Sequence, residues 1–320
     1  MRISIGQTAA VALMCAVAAT AHAAPTYTIT DLGSLGGTYV NASAVNNVGQ
    51  VTGYSSIWSG DVYGFFWDEG VMTMIGAYGG GRSYGMAIND AGQVTGYAYT
   101  AGGFPVAYIW QNDNMFPLGT LGGQMSLGFA IDNLGDVAGW STTAGDPAAR
   151  AFLWTGGMID LGSLAGGMSE AHGINDYRQV VGVSQTPGGY RAFFWENYVM
   201  TDLGAPGGAF SYGEDINNAG QVVGAAVNPA LNQTHGYLWE SGTWTDLGTL
   251  AGGRYSWAYA VNDLGSAVGV SNDANGNDFG VLWQDGSVYS LDDLLSTDSD
   301  WRLIDARGIN NSGQIVGTGF

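Results

Sequence analysis

An eleven-residue phrase returns seven times along this chain. It reads AVNNVGQVTGY from Ala44, AINDAGQVTGY from Ala87, AIDNLGDVAGW from Ala130 and GINDYRQVVGV from Gly173. It continues as DINNAGQVVGA from Asp215, AVNDLGSAVGV from Ala260 and GINNSGQIVGT from Gly308. The residues that open the NxxG turns are Asn46, Asn89, Asp132, Asn175, Asn217, Asn262 and Asn310, spaced by 43, 43, 43, 42, 45 and 48 residues. A steady period of this size means one supersecondary unit copied along the chain, each copy unable to bury its apolar face alone. It outweighs the two-domain expectation that 320 residues would otherwise suggest.

Each period holds four short segments. An aromatic and apolar run ends in Trp, at Trp67, Trp110, Trp154, Trp195, Trp239 and Trp283. A short segment ending in a variant of DLG follows, as at Asp31, Asp160, Asp202 and Asp246. Then come an alternating stretch that ends in an [IV]N pair and, last, the QVVG stretch. Aromatic and β-branched residues punctuated by Gly every eight to twelve residues predict strands. The NxxG between the last two suits a tight hairpin, with Gly in the left-handed conformation and Asn making local turn bonds. Arg178 stands where one copy should have Gly. Four strands in roughly 43 residues is the size of a propeller blade. The expected fold is an all-β, seven-bladed β-propeller of four-stranded repeats.

The units resemble the HAF repeats of bacterial extracellular proteins. The best matches are THGYLWESGTWTDLGTLAGG from Thr234 and RAFLWTGGMIDLGSLAGG from Arg150, and the resemblance spans almost the whole chain after its first residues. It implies an extracellular location and little chemistry. The PEP-CTERM sorting tail that often ends such proteins is absent, and SLDDLLS from Ser290 replaces the DLGtLGG stretch of the last unit. There are seven DLG-type strands and seven hairpins but six Trp strands. The last blade is therefore expected to be completed by the N-terminal strand YTITDLG and to lack one strand, as in a truncated chain.

Residues 1–23 read as a signal peptide: Arg2, an apolar run from Ala9 to Ala19, and an Ala21-His22-Ala23 cleavage signal. The run is short for a membrane span. The only cysteine, Cys15, lies inside it, so residues 24–320, read as a single propeller domain, have no disulfide or thiol site. The chain has 27 acidic residues against 8 basic ones, a net charge of −19. Such a field repels nucleic acid and anionic lipid. A secreted or cell-envelope monomer is expected, without nucleic-acid partner or membrane insertion.

Chemistry is expected where the repeats stop agreeing. Counting back from the turn Asn, positions −4 and −2 are almost all Ala or Gly, as an innermost strand near a crowded axis requires. Position −3 instead reads Ser43, Met86, Phe129, His172, Glu214, Tyr259 and Arg307. Position −5 reads Asn41, Tyr84, Leu127, Glu170, Tyr212, Trp257 and Asp305. Alternation puts both on one face of the strand. Glu170, His172, Glu214, Asp305 and Arg307, with Asp215 at −2, are read as a charged sector of an axial channel. It is read as a solvated lining, as a cation site through Glu170 and Glu214, or as acid–base machinery.

The LGG connections and the loops after VVGxS share the face away from the NxxG turns, and variable loops on one face of a repeat array usually bind. Trp58, Arg82, Tyr84, Tyr212, Arg254, Tyr255 and Trp257 fall there as candidate ligand contacts. Asp273, Asn275 and Asp278 of DANGND alternate like calcium ligands but lack the following Glu, so calcium is the one cofactor considered and none is required. His235 and the DLG aspartates are read as structural. No HExxH, P-loop or dinucleotide motif occurs. The expected function is non-catalytic binding of a glycan or an extracellular protein. The alternatives are a secreted polysaccharide hydrolase or lyase using the channel carboxylates, and a structural envelope or matrix protein.

Overall fold

Each repeat folds as one four-stranded antiparallel sheet, as its alternation predicts. In the first blade these strands are Val40–Val45, Val51–Ser56, Val62–Asp68 and Val71–Met74, paired in chain order. The computed structural model describes residues 9–16, 24–208, 210–296 and 300–320. Among these, the only helical element is a single 3-10 turn at Asp292–Leu294, and no helix is long and apolar enough to cross a membrane.

The chain forms an all-β propeller. Six blades of four consecutive antiparallel strands occupy residues 40–74, 79–119, 122–162, 169–202, 211–248 and 256–290. The remaining strands come from both ends of the chain and make a composite sheet in the order Thr26–Asp31, Ala9–Ala16, Ile315–Gly319, Leu303–Ile309. The expectation of seven repeat-encoded blades is thereby corrected to six, because the seventh hub turn, at Asn310, belongs to this composite sheet.

The last unit is not one strand short. Thr26–Asp31 forms its outer edge as expected, but Ala9–Ala16 fills the place that a Trp strand takes in the other units. Val11 is fully buried there beside Tyr27, Leu291, Leu303 and Ile315. The structure is that of the uncleaved chain, and the remainder of the expected leader, including its cleavage site, lies outside the described residues.

The first strand of each blade, and Leu303–Ile309 of the composite sheet, lies at the axis, packed against its counterparts in the neighbouring sheets. Every one of these strands has a β-bulge between positions −4 and −2, so that the −3 residue is the extra one. A bulge bends a strand and re-aims a side chain. Here it turns the variable −3 residue toward the axis seven times over. The same distortion explains the Gly of VVG, at Gly53, Gly96, Gly139, Gly182, Gly224, Gly269 and Gly317. A Cβ there would collide with the carbonyl oxygen of the −5 residue on the hub strand.

The turn Asn is buried and bonded at every polar atom. Asn46 Oδ1 accepts from the amides of Val48 and Gln50 at 3.2 and 2.9 Å. Its Nδ2 donates to Gln50 Oε1 at 2.8 Å and to the carbonyl of Asn89, in the next turn, at 2.9 Å. Asn89 does the same toward Asp132, Asn175 toward Asn217, Asn217 toward Asn262, Asn262 toward Asn310, and Asn310 back to Asn46. One level out, buried serines stitch adjacent sheets. Ser126 accepts from the Ala107 amide at 2.9 Å and donates to the Gly119 carbonyl at 2.6 Å, and Ser83, Ser169, Ser211 and Ser256 repeat the pattern. The DLG aspartates cap their turns, as Asp160 Oδ1 does for the Gly162 amide at 2.8 Å.

Between sheets the core is apolar, with Phe65, Tyr108, Phe152 and Phe193 fully buried. Each such ring contributes about 1.5–3 kcal/mol by burial. Removing a turn Asn costs more than its own bonds, since buried amides lose their acceptor. Asn89→Ala is expected to lower the unfolding free energy by about 2–3 kcal/mol in urea titration, whereas Asn114→Ala on an exposed turn should change it by less than about 0.5 kcal/mol.

Candidate functional site

At the axis, the bulged −3 residues and the −5 residues meet as alternation predicts. His172 sits between two carboxylates, its Nε2 3.5 Å from Glu170 and its Nδ1 3.2 Å from Glu214. Glu214 also accepts from Trp257 Nε1 at 2.9 Å. Phe129 meets the imidazole edge-on, with centroids 5.8 Å apart. Burial disfavours the charged imidazole, but Glu214 and Glu170 outweigh it and hold the ring protonated up to about 10. Burial also works against the Glu214 charge, yet His172 holds that carboxyl below its usual range. The result is an imidazolium held between two carboxylates, with neither His172 nor Glu214 poised to exchange a proton near neutrality.

Asp305 and Arg307 form a second pair, 2.8 Å apart, and Asp305 Oδ1 also accepts from the Thr318 amide at 2.9 Å. The Arg307 guanidinium lies 4.1 Å from the centre of the Tyr259 ring, a cation–π contact. The charged sector expected from sequence is therefore present. Its cations lie beside its anions, His172 between Glu170 and Glu214 and Arg307 against Asp305.

Aromatic side chains surround these groups on the face of the LGG connections. Tyr39, Tyr54, Tyr84, Tyr97 and Tyr99 form a continuous row with successive centroids 6.0, 5.0, 4.8 and 6.3 Å apart, the Tyr84–Tyr97 pair stacked. A second arc joins Tyr190 to Tyr212 at 6.2 Å, Tyr212 to Trp257 at 5.3 Å and Trp257 to Tyr255 at 6.4 Å. Trp58 stands 90% exposed, its indole over Gly36, where there is no room for a Cβ. Of the sequence candidates, Tyr84 lies in the first row and Tyr212, Tyr255 and Trp257 in the second. Arg82 and Arg254 are exposed near the two groups in sequence, without an ion pair to an acid among the described residues.

Tyr39, Tyr54, Tyr97 and Tyr99 were not anticipated. Tyr54 and Tyr97 come from the QVVG strand, whose constancy elsewhere marks it as scaffold. Only the register, which sets Tyr54 opposite Asn41 and Tyr97 opposite Tyr84, brings them to the axis.

A cavity of about 160 Å³ opens at the other mouth of the axis, among the NxxG turns. Its rim is the residue after each turn Asn, which alternates around the ring as Asn47, Asp90, Asn133, Asp176, Asn218, Asp263 and Asn311. Each carboxylate accepts from the preceding turn's backbone amide, as Asp90 does from Asn47 at 2.8 Å and Asp176 from Asn133 at 2.9 Å. Asp215 lies deeper in this wall and caps the amides of Ile216 and Val261 at 2.8 and 2.9 Å. Burial raises its carboxyl to about 7 against the pull of those two amides. The alternation is visible in sequence, but it hides inside the phrase that constancy assigns to scaffold.

The DANGND loop is a self-contained hairpin turn. Asp273 Oδ1 accepts from the amides of Asn275 and Asn277 at 2.8 and 2.9 Å, while Asp278 and Asn275 are exposed. Among the described residues, no group of three or more His, Cys, Asp or Glu is placed to hold a metal ion. His235 is buried with Nδ1 2.9 Å from Asp246 of the DLG turn, a structural pairing.

No family model matches this chain, and no curated protein matches it. Solved propellers do. The propeller domain of the Trilobed protease from Pyrococcus furiosus, described as having an open velcro topology, is 10% identical with a TM-score of 0.58, over 92% of this chain and 96% of that one. The putative TolB from Agrobacterium tumefaciens is 10% identical with a TM-score of 0.55, over 98% and 99%. TolB from Acinetobacter baumannii is 11% identical with a TM-score of 0.52, over 84% of this chain and only 63% of its own. At such identities the likeness shows the propeller fold alone.

The clamp around His172 has a testable energetic sign. A histidine whose folded pKa is raised adds stability that is complete below its ordinary value near 6.5 and is lost as pH rises toward about 10. His172→Leu leaves two carboxylates uncompensated and should cost about 3–5 kcal/mol at pH 7. Ring nitrogen shifts should report a cationic imidazole at pH 8, and a neutral ring at that pH would contradict the clamp.

Proposed function

We propose that this propeller is a secreted, non-catalytic binding protein that takes a glycan on the face of the LGG connections. The supporting observation is the aromatic surface. Two arcs of half-buried rings and a fully presented Trp58 flank the axis on the face with variable loops. Sugars offer apolar CH faces that stack on Tyr and Trp, and hydroxyls that bond to flanking polar groups. Glu170, Glu214, Asp305 and Arg307 supply such groups between the arcs. A chain with net charge −19 favours a neutral or amine-bearing glycan over an anionic one.

The non-catalytic reading rests on the axial groups. Glu214 accepts from Trp257 and lies 3.2 Å from His172, and Asp305 is held by Arg307 and the Thr318 amide. A glycosidase needs one carboxyl held protonated near neutral pH beside an ionised partner, whereas His172 and Glu214 hold each other in the charged form. The leader-like residues 1–23 and the resemblance to HAF repeats support export.

A glycan array probed with the full chain tests the reading. Binding to a set of neutral or amine-bearing glycans is expected, weakened at least tenfold by Tyr84→Ala and by Trp257→Ala with the unfolding midpoint of each checked in parallel. Absence of glycan binding, or affinity untouched in both variants, would overturn it. Burial raises the Tyr54, Tyr84, Tyr97 and Tyr212 hydroxyl pKa values above their ordinary value. Binding through these rings should therefore stay flat from pH 6 to 9.

A further inference from the structure

Three departures from the repeat meet at one junction of the hub. Where six turns open with Asn, the third opens with Asp132. Where Gln usually follows four residues later stands Asp136. Where the next turn should have Gly stands Arg178, held at φ +61°. The Arg178 guanidinium bonds Asp136 at 2.5 Å, so two of the three departures complete each other: a cation on one turn neutralises an anion on its neighbour.

Asp132 is left over. Its Oδ1 does the work of the Asn Oδ1 elsewhere, accepting from the amides of Leu134 and Asp136 at 2.9 and 2.8 Å. Its Oδ2 therefore stands where the other turns place Nδ2. That atom donates, in all six Asn turns, to the carbonyl of the following turn. Asp132 is 3% exposed and its Oδ2 is buried without a partner. An ionised carboxylate has nothing to donate, so the carbonyl of Asn175 and Oδ2 would face each other as two acceptors.

We propose that Asp132 is protonated in the folded chain, its O–H donating to the Asn175 carbonyl, and that loss of this proton to solvent opens the 132–175 link of the hub. The charges around it are accounted for. Asp136 on its own turn is spent on Arg178, which comes from the following turn. Asp176, also on the following turn, accepts from Asn133. Asp90 on the preceding turn accepts from Asn47. Arg178 is near enough to feel the Asp132 charge, but its bond goes to Asp136, and among the described residues Oδ2 has no bonded partner. Burial, with Asp136 and Asp176 pushing the same way, holds the acid up to about 6 against the pull of the two amides. A carboxyl raised in the folded state binds a proton that the unfolded chain, at 3.8, has released. Stability is therefore lost as pH rises from about 4 through 6.

Asp132→Asn restores the missing donor and tests the link. Thermal unfolding of the full chain should show the variant several degrees above wild type at pH 7.5 and within about a degree of it at pH 4.5. Asp113→Asn, which removes a charge from an exposed turn, should give the same offset at both values. Carbon-13 carboxyl shifts of the wild-type chain supply a second readout that needs no variant, with the Asp132 resonance expected to titrate near 6. An Asp132→Asn offset independent of pH, or an Asp132 resonance that titrates at or below 4, would overturn the proposal.

Discussion

The structure depends on one hydrogen bond made repeatedly: the side-chain amide of a hub Asn donating to the backbone carbonyl of the next turn. A propeller must join sheets whose backbones are already satisfied internally, and apolar packing between their faces is not directional. A buried carboxamide supplies direction. Its oxygen closes its own turn and its nitrogen reaches the neighbour, so each turn fixes both its own shape and the position of the next. Leaving any of these groups unpaired in the hub costs the full desolvation of a polar atom. The recurrence of Asn at six of the seven hub turns follows from this geometry.

Much of this was legible in the letters. The period, the strand pattern, the small residues at −4 and −2 and the division of −3 and −5 from the rest all follow from alternation and crowding, and the structure places them accordingly. The number of blades was not legible, because a composite sheet borrows strands from distant parts of the chain. Ala9–Ala16 reads as an apolar leader and nothing local marks it as a strand. The hub bulge was equally hidden, since no residue type announces it. Its trace is the Gly on the adjacent strand, at Gly53 and its equivalents opposite the −4 residue, which sequence alone reads as generic turn chemistry. The tyrosine row needed register: Tyr54, Tyr84 and Tyr97 belong to three strands in two blades and become neighbours only around the axis.

The division of labour between constant and variable positions explains why function is harder to read than fold. Constant letters are spent on holding the ring. Variable letters populate the axis and the LGG face, where each residue occurs once and no repeat averages its meaning. His172 illustrates the limit. A His near two Glu residues suggests acid–base chemistry in sequence, whereas the geometry places it between them as a fixed cation.

Native-state hydrogen exchange at pH 5 tests the hub relay most directly. The amides of Gln50, Gln93, Gln179, Gln221 and Gln314 each donate to the hub Asn side chain of their own turn, and the five turns lie in five sheets. If the relay locks the turns into one cooperative ring, all five should exchange only through global unfolding, with the same opening free energy as the buried mid-blade amide of Phe65. Exchange of these amides at separate and faster rates, each sheet opening alone, would contradict the account.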